Sequence, residues 1–383
     1  LNINKKVINR KRRRKSRNIL HNSSNTEDCS KLIKNKTIYP IKEIIPSEHI
    51  TKPFNENKDK ICIIYPYYER KNKQKNQTNL SFFIKYGLDK KKWKNLDITT
   101  LIIINGNQCE VLIPNRNDII VWKLDYHNDY DIGSYKLGIN YLESIYDKKF
   151  YDIFSYLFII NSDVFGPIHE QNVHTHWLYP FINKLNMENS VICSPVINFL
   201  KHSNSRGYGP QCQTYCSLIN MNKPIYDLLL NLCKKIPLQD EYTLETYKKH
   251  YNTILISDYG LTRILLNNNY NISCLIYDNL DYKDESIYDY YSDRIDRSND
   301  YKEDYFDKCI FIKNNWLIDT ELKDSFPVMY NKTKEYYFDK LNLKNIYQDL
   351  LYKYDYDFLK FPSNINIMSQ YDKVDKEKNK PYS

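Results

Sequence analysis

The first sustained apolar run is Ile61-Cys62-Ile63-Ile64-Tyr65, closed by Pro66, and it predicts a buried strand. Asn79 to Gly87 then reads as a helix ending on a glycine cap. Thr99 to Ile104 and Asp118 to Trp122 are two further strands, the first stopping at Asn105-Gly106-Asn107. In Ser134 to Tyr146, Tyr135, Ile139, Leu142 and Ile145 recur at helical spacing, with Ser134 as the expected N-cap. Tyr156 to Ile160 is the most apolar strand and ends at Asn161. Ser190–Val196 and Asn271–Tyr277 read as strands, and Lys223–Lys234 and Asp258–Leu266 as helices.

Strands that are apolar throughout, alternating with helices, predict an α/β domain with a mostly parallel sheet flanked by helices on both faces. Ligands of such sheets bind beyond the carboxyl ends of the strands. The residues just after each strand are therefore the ones to weigh. Outside this block the pattern changes. Residues 1–57 are polar and aperiodic, punctuated by Pro40, Pro46 and Pro53, and read as a disordered or loosely docked arm. Residues 278–307 hold 11 acids against 4 bases, among many tyrosines. The domain is therefore drawn at 58–280, with 281–383 as an acidic, Tyr-rich segment and a helical or irregular C-terminal appendage.

Charge alters the picture once it is located. The net charge is +9, and Lys5, Lys6, Arg10, Lys11, Arg12, Arg13, Arg14, Lys15 and Arg17 supply all of it before the first acid, Glu27. The body is formally neutral, which argues against a nucleic-acid-binding domain. The arm is suited to an acidic partner or an anionic membrane surface. The chain has 37 Tyr, only 8 Gly and no Ala, the residue set of an AT-rich genome such as that of a large DNA virus or an AT-rich protist. In such a composition Asn76-Gln77-Thr78 and Asn271-Ile272-Ser273 arise by chance and do not signal secretion. Nine scattered cysteines, several inside apolar runs, read as buried reduced thiols of a reducing, cytoplasmic compartment. No signal-peptide or membrane-span pattern is visible, so a peripheral association through the arm is the membrane contact to expect.

Three segments could carry chemistry. Asn161-Ser162-Asp163 follows the most buried strand, where Asp163 either helps hold Mg²⁺ or Mn²⁺ against a diphosphate or simply opens a turn. Asp131-Ile132-Gly133-Ser134 lies before a helix, where Gly133 and free N–H groups suit an anion or ribose, or where an ordinary turn sits. Asp258 opens the helix before the last strand, as a general base for an acceptor hydroxyl or as a plain helix-start acid. His169, His174 and His176 lack cysteines at zinc spacing, and His176-Trp177 reads instead as the start of a helix through Leu178, Phe181, Ile182 and Leu185.

Order and context join these signals. Tyr67-Tyr68-Glu69, Ile104-Asn105-Gly106-Asn107, Asp131 to Tyr135, Asn161 to Pro167, His176-Trp177 with Phe181, and Asp258-Tyr259-Gly260-Leu261-Thr262-Arg263 succeed one another over residues 60–278. In this the chain resembles GT-A glycosyltransferase domains of bacteria, plants and large DNA viruses, related to inverting family-two and rhamnan-synthesis-type enzymes. The resemblance implies a Rossmann-like GT-A fold that uses a nucleoside-diphosphate sugar with Mn²⁺ or Mg²⁺. The acceptor it implies is a glycan, lipid or protein hydroxyl. It makes Asp163 the metal and diphosphate acid, with Asn161 and Ser162 beside it. Asp131 and Gly133 fall on the nucleotide side, and Asp258 becomes the catalytic base. Two positions depart from the family pattern. Asn161 replaces the first acid of the metal motif, and Ser257 stands where many relatives carry Glu. A catalytically degenerate GT-A fold acting as a binding or scaffold module is the alternative these departures leave open.

Overall fold

The computed structural model describes residues 59–68, 73–89, 96–106, 109–124, 130–168, 176–200, 208–233, 259–288, 290–291 and 308–313. The basic arm and everything after residue 313 lie outside these. The centre is a seven-stranded sheet built from β1 (Lys60–Tyr68), β2 (Asp97–Asn105), β3 (Ile119–Leu124), β4 (Tyr156–Ile160), β6 (Ser190–Ser194), β9 (Cys216–Asn220) and β10 (Asn271–Cys274). Across the sheet the order is β10-β6-β9-β4-β1-β2-β3. Strands β3, β2, β1 and β4 run parallel, and β6 and β10 are parallel to each other. Only β9 is reversed, antiparallel to both β4 and β6. The domain is thus α/β around a mixed, mostly parallel sheet, as the apolar strands predict.

Side chains leave the strands alternately to two cores. Cys62 and Ile64 of β1, Leu101 and Ile103 of β2, and Leu157 and Ile159 of β4 pack under helices α2 (Tyr130–Tyr146), α5 (Lys223–Cys233) and α6 (Gly260–Asn267). Ile61, Ile63, Tyr65 and Tyr67 of β1 and Tyr156, Phe158 and Ile160 of β4 face the other way, toward α1 (Lys73–Phe82) and α4 (Tyr179–Met187). A short helix, α3 (Phe150–Ile153), leads into β4. Among the described residues, no helix is long and apolar enough to cross a membrane.

Several boundaries differ from those the sequence predicts. β1 continues through Pro66 to Tyr68, because its pairing with β4 ends at Ile64 and a missing N–H is tolerated where only one neighbour remains. α1 begins at Lys73 rather than Asn79, and a π turn over Phe83–Gly87 completes it. Gly87 is needed there for space. A Cβ on it would lie 2.7 Å from the Phe83 ring, and its carbonyl accepts the Trp177 indole N–H at 3.0 Å. α2 begins at Tyr130, so Ser134 is an interior residue of that helix and not its N-cap.

The hairpin β7 (Ile197–Leu200) and β8 (Gly209–Cys212) is an element the sequence reading lacks, as is the pair β5 (Val164–Phe165) and β11 (Ile312–Lys313). This last pair carries the packing past the boundary drawn at 280. Phe311 is buried and meets Phe158 and Trp177 with ring centroids 5.6 and 5.1 Å apart. The Ile168 N–H donates to the Ile310 carbonyl at 2.7 Å. Gly166, at φ 149°, lets the chain pass, since a Cβ there would lie 2.7 Å from the Ile310 oxygen and 2.5 Å from the Phe311 ring.

The cysteines match the expectation of buried thiols. Cys62, Cys193, Cys212, Cys216, Cys233, Cys274 and Cys309 are buried thiols, and Cys109 is a half-buried one. Burial pushes the Cys212, Cys233 and Cys309 thiols up to about 12, and Cys62, Cys193 and Cys216 well above the usual range. They remain protonated and unreactive near neutrality.

Candidate functional site

The strand order turns at β1. β2 and β3 lie to one side of it and β4 to the other, which makes the carboxyl ends of β1 and β4 the switch point of the parallel half-sheet. β4 ends at Ile160, so Asn161-Ser162-Asp163 forms the turn at that crevice. The turn is held from every side. The Asn161 N–H donates to the Tyr215 carbonyl at 3.0 Å, and the Asp163 N–H donates to Asn161 Oδ1 at 3.1 Å. The Val164 N–H donates to the Asn161 carbonyl at 3.3 Å.

Two asparagines of α1 close the remaining positions. Asn76 Nδ2 donates to the Tyr68 carbonyl at 2.7 Å and to Ser162 Oγ at 3.2 Å. Asn79 Nδ2 donates to the Ser162 carbonyl at 2.8 Å. Asn161 and Ser162 are both buried. Asp163, half-exposed, is the member of the triplet whose side chain reaches solvent. Asn161 and Ser162 therefore shape the turn, and Asp163 is what the turn presents. The carboxylate also makes itself felt inward. Burial pushes the Tyr65 hydroxyl well above the usual range, with the negative charges of Tyr67 and Asp163 adding to it.

The other rim of the crevice comes from β2, α2 and the turn before β9. Gly106, at φ 97°, turns the chain after Asn105. Asn105 Nδ2 donates to Ser134 Oγ at 3.3 Å, while its Oδ1 is buried without a hydrogen-bond partner. Tyr68, the last residue of β1, is 49% exposed, a flat aromatic surface beside these groups. The Tyr135 hydroxyl donates to the Thr214 carbonyl at 3.1 Å, tying α2 to the turn that also receives the Asn161 N–H.

Asp131 and Gly133 lie in the first turn of α2 rather than in a loop before it, with Gly133 buried. The structure so brings together the β4 turn, the β1 and β2 ends and the start of α2. Asp258 and Ser257, and with them His169 and His174, lie outside the described residues. α6, which Asp258 precedes, is fixed to the β7–β8 hairpin by Thr262, whose Oγ1 accepts the Cys212 N–H at 2.7 Å. His176 is buried and uses Nδ1 to accept the Leu178 N–H at 3.2 Å, a helix-entry role.

Sequence reasoning passes over Asn76 and Asn79, which enter it only as part of a chance Asn-x-Thr triplet and as the start of a helix. Their spacing of three residues, which places both on one helix face, was the available signal. A cavity of about 390 Å³ opens elsewhere, lined by Glu188, Leu266, Asn271, Asn279 and Lys283 near the start of β10. It lies away from the β1–β4 crevice and takes no part in it.

No family model matches the chain, and no curated protein matches it. Among solved structures, the crystal structure of A197 from STIV is similar at 12% identity, covering 50% of this chain and 76% of that one, with a TM-score of 0.22. A likeness of that size bears on neither fold family nor activity.

Proposed function

We propose that the chain is a GT-A-type glycosyltransferase that moves a sugar from a nucleoside-diphosphate donor to an acceptor hydroxyl with inversion. The observation that carries the proposal is the placement of Asp163. A half-exposed carboxylate is presented at the switch point by a turn whose other two members are buried and hydrogen-bonded. A turn that needed an acid only to start would not require its neighbours to be held so closely.

The donor set supports a particular way of holding a metal. Among the described residues, no group of three or more His, Cys, Asp or Glu side chains could hold a metal ion. Asp163 alone does not fit a cation caged by protein. It does fit a hard cation carried by the diphosphate and completed by one carboxylate and water. Asp163 would hold Mn²⁺ or Mg²⁺ in this way, and the ion would supply neutralisation of charge on the departing diphosphate. The start of α2 offers N–H groups to the same anion, Tyr68 offers a stacking surface to base or sugar, and Asn105 Oδ1 awaits a donor. In the transfer, the acceptor oxygen attacks the anomeric carbon as its proton passes to Asp258. The bond from that carbon to the diphosphate oxygen breaks, with its electrons leaving on the diphosphate.

One observation favours a second reading. Asn161, where the family's metal motif has its first acid, gives its amide oxygen to the Asp163 N–H, as a turn in a non-catalytic binding module would. A screen of nucleotide sugars for slow hydrolysis in Mn²⁺ separates the two. Release of a diphosphate from one donor is expected, and binding without release from any donor would make the chain a scaffold. In the active protein, Asp258→Asn should lower turnover about 10²–10⁴-fold with donor affinity and melting temperature unchanged, since Asn keeps the size of Asp but cannot take up the proton.

A further inference from the structure

We infer that Asn76 and Asn79 of α1 are positioning residues that latch β1 to β4 and fix the direction of Asp163; this rests on the glycosyltransferase reading of that carboxylate. Asn76 Nδ2 bridges the two sides of the switch point, the Tyr68 carbonyl on β1 and Ser162 Oγ after β4, at 2.7 and 3.2 Å. Asn79 Nδ2 takes the Ser162 carbonyl at 2.8 Å. Ser162 precedes Asp163 directly, and the Asp163 N–H is itself bound to Asn161. Backbone on both sides of Asp163 is therefore fixed, and with it the bond from Cα to Cβ that aims the carboxylate.

The character of α1 shows what it is for. Asn is a poor residue for a helix interior, and a buried amide is unfavourable unless its polar atoms are met. Asn79 is 0% exposed and Asn76 is 5% exposed, so both sit where a helix ordinarily places Leu or Ile. Asn79 Oδ1 is buried with no hydrogen-bond partner, so the side chain is retained for its N–H donor despite an unmet oxygen. An apolar residue would pack with no orphaned atom but would leave the Ser162 carbonyl unbound. The pair thus gives up core stability at the one place where its donors hold the candidate acid. Outer partners of this kind, which orient a ligating group without touching the ligand, typically change affinity about 10–100-fold when removed.

The test uses the full chain with Asn79→Leu and, as a smaller change, Asn76→Ala. Uridine diphosphate and guanosine diphosphate are titrated separately by calorimetry at fixed Mn²⁺, and amide exchange is followed in peptides covering 161–168. Each substitution should weaken the Mn²⁺-dependent affinity about 10–100-fold and speed exchange across the turn. In an Asp163→Ala background neither should weaken the remaining affinity further, because the acid they aim is gone. Equal losses in both backgrounds would mean general loosening of the fold and would overturn the latch. Unchanged affinity with unchanged exchange would reduce the two asparagines to ordinary packing. If the unaltered chain binds neither diphosphate, the glycosyltransferase reading fails on its own, and the exchange data decide the latch: faster exchange in both variants supports it, and unchanged exchange removes it.

Discussion

The carboxyl ends of the central strands and the β6–β10 end of the sheet are tied down by different chemistry. At the switch point, the turn after β4 is held by amides and hydroxyls: Asn76, Asn79, Asn161 and Ser162, with Asn105 and Ser134 across the crevice. At the β6–β10 edge charge is added to a buried hydroxyl pair, Ser190 and Ser273 at 2.6 Å. Lys184, buried on α4, donates to Asp278 at 2.5 Å and pairs with Glu188 at 2.8 Å, and Lys308 reaches Asp278 at 3.1 Å. Neutral donors can fix a backbone without adding a field of their own. A lysine paired with a ligating carboxylate would compete with an incoming cation, whereas an asparagine that binds the backbone N–H of Asp163 does not. Charge pairing thus helps anchor the edge, while the backbone of the turn that carries Asp163 is held by neutral donors and acceptors.

Asp163→Ala tests that contrast most severely. Affinity for a nucleoside diphosphate in Mn²⁺ should fall roughly 100-fold, while stability stays within about 0.5 kcal/mol, as expected for a half-exposed acid. Calorimetric titration beside a denaturant melt reads both. Unchanged affinity would return Asp163 to a turn residue and dissolve the difference between the two ends. The unaltered chain should also bind Mn²⁺ far more tightly with the diphosphate present than without it, because one carboxylate makes a poor cage.

Lys184→Met should act the opposite way, on stability rather than on binding. It leaves the Glu188 carboxylate, 9% exposed, without its ammonium partner, at a cost of about 2 kcal/mol. Nucleotide affinity should stay within twofold. A variant that lost affinity as readily as stability would show that the two ends are coupled.

The smallest expected effect is on Asp278. Hydrogen bonds from Lys184 and Lys308 hold its carboxyl below the usual carboxylate range. Its stabilisation is therefore complete above the unfolded pKa of about 3.9 and is lost as pH falls through the lower folded value. For Lys184, burial pushes the pKa down, but the hydrogen bonds to Asp278 and Glu188 outweigh it and the net shift is upward. Its share is present below about pH 10.4 and is lost as pH rises through the folded value above that. Because the Asp278 side chain is 64% exposed, Asp278→Asn should cost less than about 0.5 kcal/mol near neutrality. Melts in low and high salt should show the loss shrinking as salt screens the pair.

What the sequence reveals follows the same division. β4 is legible to the residue because every position is apolar, and α5 because its buried residues recur at helical spacing. The first half of α1 escapes a reading based on apolar periodicity, since the face it buries is made of asparagine. β8 begins Gly209-Pro210, which reads as a turn, and β9, only five residues long, is also absent from the sequence reading, so the reversed strand of the sheet is missed. Asp163 could be singled out from its place after the most apolar strand. The helix that supports it is far harder to find, because hydrogen-bond partners 83 and 86 residues apart leave only the three-residue spacing of Asn76 and Asn79 as a local trace.

The pairing of β5 with β11 sets a timetable for synthesis. Asp163 emerges early, yet the strand beside it has no partner until Ile312 and Lys313 have been made, and the gap among Phe158, Trp177 and Phe181 stays open until Phe311 arrives. On a ribosome the parallel strands can assemble while this flank of the crevice waits. A nascent chain stalled before residue 308 would hold the seven strands of the sheet and still lack a finished rim.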